Sequence, residues 1–148
     1  MSTREERALA LHATGYNCAQ SVLGAFCEDD GLDVTAAMKV AGGLGGGLRY
    51  GEVCGAASGA VLALGLKCGQ YIEGDQAQKS FCYKKTREFM DAFAAECGAV
   101  TCRDLLGFDV NDEALRLANR DRMKAVCGNA IACAVRVLEG MEFERDGI

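Results

Sequence analysis

Gly51-Glu52-Val53-Cys54-Gly55-Ala56-Ala57-Ser58-Gly59-Ala60-Val61-Leu62-Ala63-Leu64-Gly65-Leu66-Lys67-Cys68 is the stretch on which the fold turns. Its apolar residues recur three and four apart, so Cys54, Ala57, Val61, Leu64 and Cys68 share one stripe. That is the period of a helix, not of a strand. The spacing predicts a helix over about 53–67, stopped by Gly69. Just upstream lies Gly42-Gly43-Leu44-Gly45-Gly46-Gly47, a glycine-rich loop at the helix start.

The same period extends in both directions. A helix is predicted over 3–13, followed by the turn Thr14-Gly15-Tyr16. Asn17 caps the next helix, with Gln20 at the reciprocal position of a capping box, and Cys18, Val22, Ala25 and Phe26 on one side. Glu28-Asp29-Asp30-Gly31 breaks it, and a helix over 33–41 follows. Downstream, a helix over 75–96 is predicted to bury Phe81, Phe89, Met90 and Phe93 and to stop at Gly98. Thr101-Cys102-Arg103-Asp104 opens a short helix ending at Gly107. The remainder, about 112–140, reads as one or two helices with Val126, Cys127, Ile131, Val135 and Leu138 inward. With no linker, repeat or low-complexity segment, residues 1–148 are expected to form an all-α, single-domain bundle of about six to seven helices, with the glycine-rich loop next to a cysteine cluster.

Composition narrows the function. Half of the 148 residues are apolar, a quarter are charged, and proline and tryptophan are absent. A formal charge of −5 argues against a nucleic-acid-binding surface. No run reaches the roughly 18 apolar residues of a membrane span, and the charged N-terminus lacks a signal-peptide core. A cytoplasmic location follows as the expectation. In a reducing compartment nine cysteines point to metal or redox chemistry rather than to a disulfide framework.

Helix geometry sorts those cysteines. At a rise of ~1.5 Å per residue, Cys54 and Cys68 lie roughly 21 Å apart, Cys18 and Cys27 roughly 13 Å, and Cys82 and Cys97 roughly 22 Å. Cys127 and Cys133 point to well-separated faces of one helix. One centre can take at most one member of each pair. With no C-x-x-C in the chain, it must be assembled from separate helices. Cys18, Cys54 and Cys102 each sit at a helix start, where the thiolate is favoured. Arg103 adds positive charge beside Cys102, and Cys127 completes the set. Cys27, Cys68, Cys82, Cys97 and Cys133 read as small buried apolar residues. Cys97, five residues from Cys102 across a turn, is the one that could take that residue's place.

The run Cys18 … Gly51-Glu52-Val53-Cys54-Gly55-Ala56-Ala57-Ser58-Gly59-Ala60 … Cys102-Arg103-Asp104-Leu105-Leu106-Gly107 … Cys127 resembles the redox protein family named for its motif, C_GCAxxG_C_C. The resemblance spans about Tyr16 to Val135. One departure is that the order here is Cys54-Gly55, so the motif reads C-G-A-x-x-G. The resemblance implies an all-helical fold and a four-cysteine centre at Cys18, Cys54, Cys102 and Cys127. It also implies a relation to the iron–sulfur domain of split-Soret cytochromes. Without a C-x-x-C-H, covalent haem is not expected, and the lone His12 reads as a surface residue.

Three functions compete. In the first, the four cysteines hold an iron–sulfur cluster, of [2Fe–2S] or related type, for electron transfer to a redox partner protein. Gly45, Gly46, Gly47 and Gly55 would let backbone amides approach the cofactor; zinc is the alternative metal for the same four thiolates. In the second, Cys54 is a reactive thiolate in metal-free disulfide exchange, with Cys18, Cys102 or Cys127 resolving; Cys54 and Cys102 are then the catalytic pair. In the third, the chain is a helical binding domain using its glycine loop, which lacks the spacing of a phosphate loop. A homodimer is expected by analogy with the related cytochromes.

Overall fold

The structure, a computed structural model, describes residues 1–145. Its axis is a helix with few side chains large enough to hold neighbours away: α4 (Gly55–Cys68). Ala56, Ala57, Ala60, Ala63 and Leu64 are all fully buried. The buried surface is wider than the single stripe read from the sequence, and Val61 is only half-buried. The reason is that α4 is packed from several sides at once, by α2 (Cys18–Phe26), α5 (Gln76–Cys97) and α8 (Arg120–Glu139).

The crossing of α2 and α4 is unusually close. A side chain on Gly59 would lie 2.5 Å from the carbonyl oxygen of Ala19 and 2.7 Å from its Cα. At Gly55 it would stand 3.2 Å from the Ala19 nitrogen and 3.3 Å from the Cys18 Cβ. The two motif glycines therefore let α4 lie directly on the backbone of α2, with no layer of side chains between. This contact brings the start of α2 to the start of α4, and with it Cys18 to Cys54.

The other helices follow from local signals. α1 (Thr3–Ala13) is capped by Ser2, α3 (Val34–Val40) by Asp33 and α5 by Asp75. Gly98 and Gly107 end α5 and α6 (Cys102–Leu106) in the left-handed conformation that favours glycine. After Phe26 the chain tightens into a 3-10 turn over Cys27–Asp30 instead of continuing α2 to Glu28. The last helical region divides into α7 (Glu113–Ala118) and α8, because Asn119 has φ −119° and ψ 27°. Among the described residues there are six helices of seven residues or more, two shorter ones and no β-strand.

One expected boundary moves. Val53 does not open α4; it forms an isolated antiparallel bridge with Thr101. Of the aromatic residues on α5, Phe89 and Phe93 are fully buried, with ring centroids 5.9 Å apart. Phe81 and Met90 pack only at the edge of the core.

No described helix is long and apolar enough to cross a membrane.

Candidate functional site

Four separate segments deliver Cys18, Cys54, Cys102 and Cys127 to one place. Cys18 is the first residue of α2, held there by a complete capping box. Asn17 Oδ1 accepts from the Gln20 N–H (2.8 Å), and the Asn17 N–H donates to Gln20 Oε1 (2.9 Å). Asn17 Nδ2 also donates to the carbonyls of Ala41 (3.3 Å) and Gly42 (3.2 Å), tying the glycine loop to the same helix start. Cys54 and Cys102 are clamped across the Val53–Thr101 bridge. The Cys54 N–H donates to the Val100 carbonyl and the Cys102 N–H to the Glu52 carbonyl, each at 2.7 Å. Arg103 pairs with Glu52 at 2.8 Å on the exposed side of this clamp. Cys127 comes from α8.

All four thiols line a cavity of about 160 Å³, together with His12, Gly45, Gly46, Gly55 and Arg49. Organic ligands of ordinary size need roughly 300–1,000 Å³. The space suits a small inorganic group. Gly47 is not among the lining residues; its φ is +62°, and a side chain there would stand 2.4 Å from the Glu52 carbonyl oxygen. Its role is to let the loop close on itself. A larger open cleft, about 670 Å³, lies beyond Arg49 and is lined by Tyr50, Arg103, Asp109 and Asn111, with no thiol on its wall.

The charges of these thiols differ from the expectation of low-pKa helix-start cysteines. Burial pushes Cys54 up to about 11, outweighing the backbone amides of Ala56 and Ala57 that favour its thiolate. The neighbouring Cys127 thiol, with burial and the other thiols of the cavity, raises Cys18 strongly. The same pairing holds Cys127 below the ordinary thiol value. Cys102 is raised by burial and by Cys127, against the opposing charge of Arg49. In the metal-free protein the most ionised sulfur is thus Cys127, not Cys54. Arg103, expected to favour the Cys102 thiolate, is turned to Glu52 instead.

These shifts fix an alkylation order in reduced, metal-free protein. A lowered pKa extends the thiolate to lower pH than in an ordinary thiol, and the thiolate is lost as pH falls through that lowered value. Cys127 is therefore expected to react with iodoacetamide first, with half-maximal labelling below the ordinary thiol pKa. Cys54 labelling is expected to rise only near pH 11. Peptide mapping by mass spectrometry across pH reads the order; faster labelling of Cys54 at neutral pH would contradict it.

Two residues of the site were not expected from the sequence. His12, read as a surface residue, is half-buried, and with Cys18 and Cys127 it forms a group whose donor atoms all lie within 4.8 Å of one another. The signal was its position at the end of α1, six residues before Cys18. Arg49 lies in a left-handed turn in which Gly46, Gly47, Leu48 and Arg49 have φ of 67°, 62°, 63° and 57°. Leu48 and Arg49 each store about 1–2 kcal/mol there. Asn111 holds the turn in place. Arg49 donates to Asn111 Oδ1 (2.9 Å), and Asn111 Nδ2 donates to the Arg49 carbonyl (2.7 Å). Nothing in the residue types of Leu48 and Arg49 signals this conformation.

The other five cysteines lie outside the cavity. All nine are free thiols. Cys97 does not stand in for Cys102; it lies by Cys133 of α8, whose thiol donates to Glu96 Oε2 at 3.6 Å. Cys68 donates to the Leu64 carbonyl at 3.4 Å, and burial raises it to about 12. Cys27 is fully buried and donates to the Gly24 carbonyl at 3.6 Å. Burial raises Cys27, Cys68, Cys97 and Cys133, which suits inert packing rather than catalysis.

A comparison with protein-family models matches residues 16–141 to the family described as "Putative redox-active protein (C_GCAxxG_C_C)". Comparisons with curated proteins and with solved structures found no match. The match takes in the Asn17 cap, the glycine loop, the close α2–α4 crossing and all four cavity cysteines. The chain belongs to the C_GCAxxG_C_C family of redox-active proteins.

Proposed function

We propose that the chain is an electron-transfer protein whose centre is an iron–sulfur cluster held by Cys18, Cys54, Cys102 and Cys127. The observation that carries this reading is the convergence of four thiols, from four segments, on one small buried cavity. Burial and neighbouring thiols raise Cys18, Cys54 and Cys102, and a bound cation would offset this by favouring each of them as a thiolate ligand. The donor set therefore fits a metal group. Among the described residues the four thiols do not all fall within 4.8 Å of one another.

An iron–sulfur cluster, when bound, supplies reversible one-electron chemistry. The chain's own residues set its surroundings. Gly45, Gly46 and Gly55 leave the cavity wall without side chains, Arg49 offsets the negative charge of the thiolates, and Leu105, Leu106 and Val110 exclude water. Anaerobic reconstitution of reduced protein with ferrous iron and sulfide is expected to give a brown protein whose visible absorption dithionite bleaches reversibly. Iron and sulfide removed completely by desalting would refute the reading. Tight, colourless zinc binding with no iron retention would replace it by a structural metal site.

The proximity of the Cys18 and Cys127 sulfurs, within 4.8 Å of each other, favours a second reading, disulfide exchange in the metal-free protein. With glutathione disulfide as oxidant, Cys127 sulfur attacks one of its sulfurs and releases one glutathione thiolate. Cys18 then loses its proton, attacks the mixed disulfide at Cys127 and releases the second. The two cysteines lose two electrons together and glutathione disulfide gains them. Cys127 replaces Cys54 as the attacking residue. This reading expects a Cys18–Cys127 link in peptide maps of the oxidised protein; links between other pairs would contradict it.

A further inference from the structure

His12 is the sole histidine of the chain and lies outside the residues that match the family. Its Nδ1 is 3.0 Å from the backbone carbonyl of Tyr16. A carbonyl only accepts, so Nδ1 carries the proton and Nε2 of the neutral ring keeps its lone pair. A ring nitrogen of His12 stands within 4.8 Å of both the Cys18 and Cys127 sulfurs. With Nδ1 already donating, a neutral ring has no N–H to offer a thiolate and can only accept a proton or bind a cation. Fixing one ring nitrogen on a backbone carbonyl is also how proteins orient histidines that bind metals.

We propose that His12 is a metal ligand of this centre, forming with Cys18 and Cys127 a three-donor set of one nitrogen and two sulfurs. The proposal rests on the reading of the cavity as a metal centre and adds a donor that the four-cysteine motif does not contain. Mixed imidazole and thiolate donors suit zinc, cobalt and iron. Cys54 and Cys102 line the same cavity but stand outside this tight set.

Cobalt(II) added alone to the reduced full-length chain is the probe, with zinc(II) competition against a chelator giving affinities. His12→Asn keeps an amide N–H for the Tyr16 carbonyl but has no donor where Nε2 stood; His12→Ala is the second variant. Both are expected to weaken metal binding by roughly 10–100-fold, while thiolate-to-cobalt absorption persists. Wild-type cobalt protein is expected to show nitrogen hyperfine coupling, a measurement that does not depend on how either variant folds. Absence of that coupling, or unchanged affinity in both variants, would overturn the proposal. If the wild type binds the metal, and Cys54→Ser and Cys102→Ser weaken it while His12→Asn does not, only the role of His12 falls. No metal binding by wild type would overturn this proposal and the metal-centre reading together.

Discussion

Serine in place of Cys127 is expected to leave the fold standing and to remove the proposed metal centre. Cys127 is half-buried on the cavity wall beside Cys18, so the hydroxyl creates no large void. The chemistry changes far more than the packing. Serine does not ionise near neutral pH, whereas the Cys127 thiolate is the one already favoured. Metal per chain is expected to fall at least tenfold in this variant, in line with the roughly 10–100-fold effects of even indirect ligand partners. Far-ultraviolet circular dichroism should be unchanged. Cys27→Ser is the control, since Cys27 is buried away from the cavity beside the Gly24 carbonyl, which a hydroxyl can also serve. It should keep its metal. Equal loss of metal in the two variants would mean that these substitutions act through the fold rather than through the site.

The second large effect concerns one substitution made twice on the same helix. Gly59→Ala drives a methyl group to 2.5 Å from the Ala19 carbonyl oxygen, a contact that backbone cannot relieve cheaply. The gain in helix propensity from glycine to alanine is only about 1 kcal/mol. Overpacking costs about 1–3 kcal/mol or more and here wins. A fall in Tm of several degrees is expected, with weaker metal binding as Cys18 and Cys54 are levered apart. Gly65→Ala, where nothing lies within 4 Å, should instead raise Tm slightly through the same propensity term. Thermal unfolding of the two variants reads the sign directly. Destabilisation of both, or of neither, would contradict the account of the α2–α4 crossing.

The helices were legible because their signals are local. Asn17, Asp33, Asp75 and Thr101 each cap the helix they precede, and Gly98 and Gly107 each end one. Rise per residue keeps the members of one helix apart, and Cys18, Cys54, Cys102 and Cys127, one from each of four segments, line one cavity. What the sequence did not carry was longer in range. The Val53–Thr101 bridge joins residues 48 apart in the chain and shifts the start of α4. The left-handed turn at Leu48 and Arg49 has no residue-type signature, and it is Asn111, far along the chain, that holds it. The pKa order was read from helix starts alone. Once the thiols are buried together, desolvation and mutual repulsion outweigh the favourable helix ends, and the neighbouring Cys18 thiol selects Cys127.

The central claim is that the cavity of Cys18, Cys54, Cys102 and Cys127 is a metal-based redox centre. Anaerobic purification, with iron, acid-labile sulfide and zinc quantified per chain, tests it most directly. The account predicts iron and sulfide bound together in stoichiometric amount, and their loss in the four single cysteine-to-serine variants. A protein that carries neither iron nor zinc, with all nine cysteines still alkylated as free thiols, would contradict it.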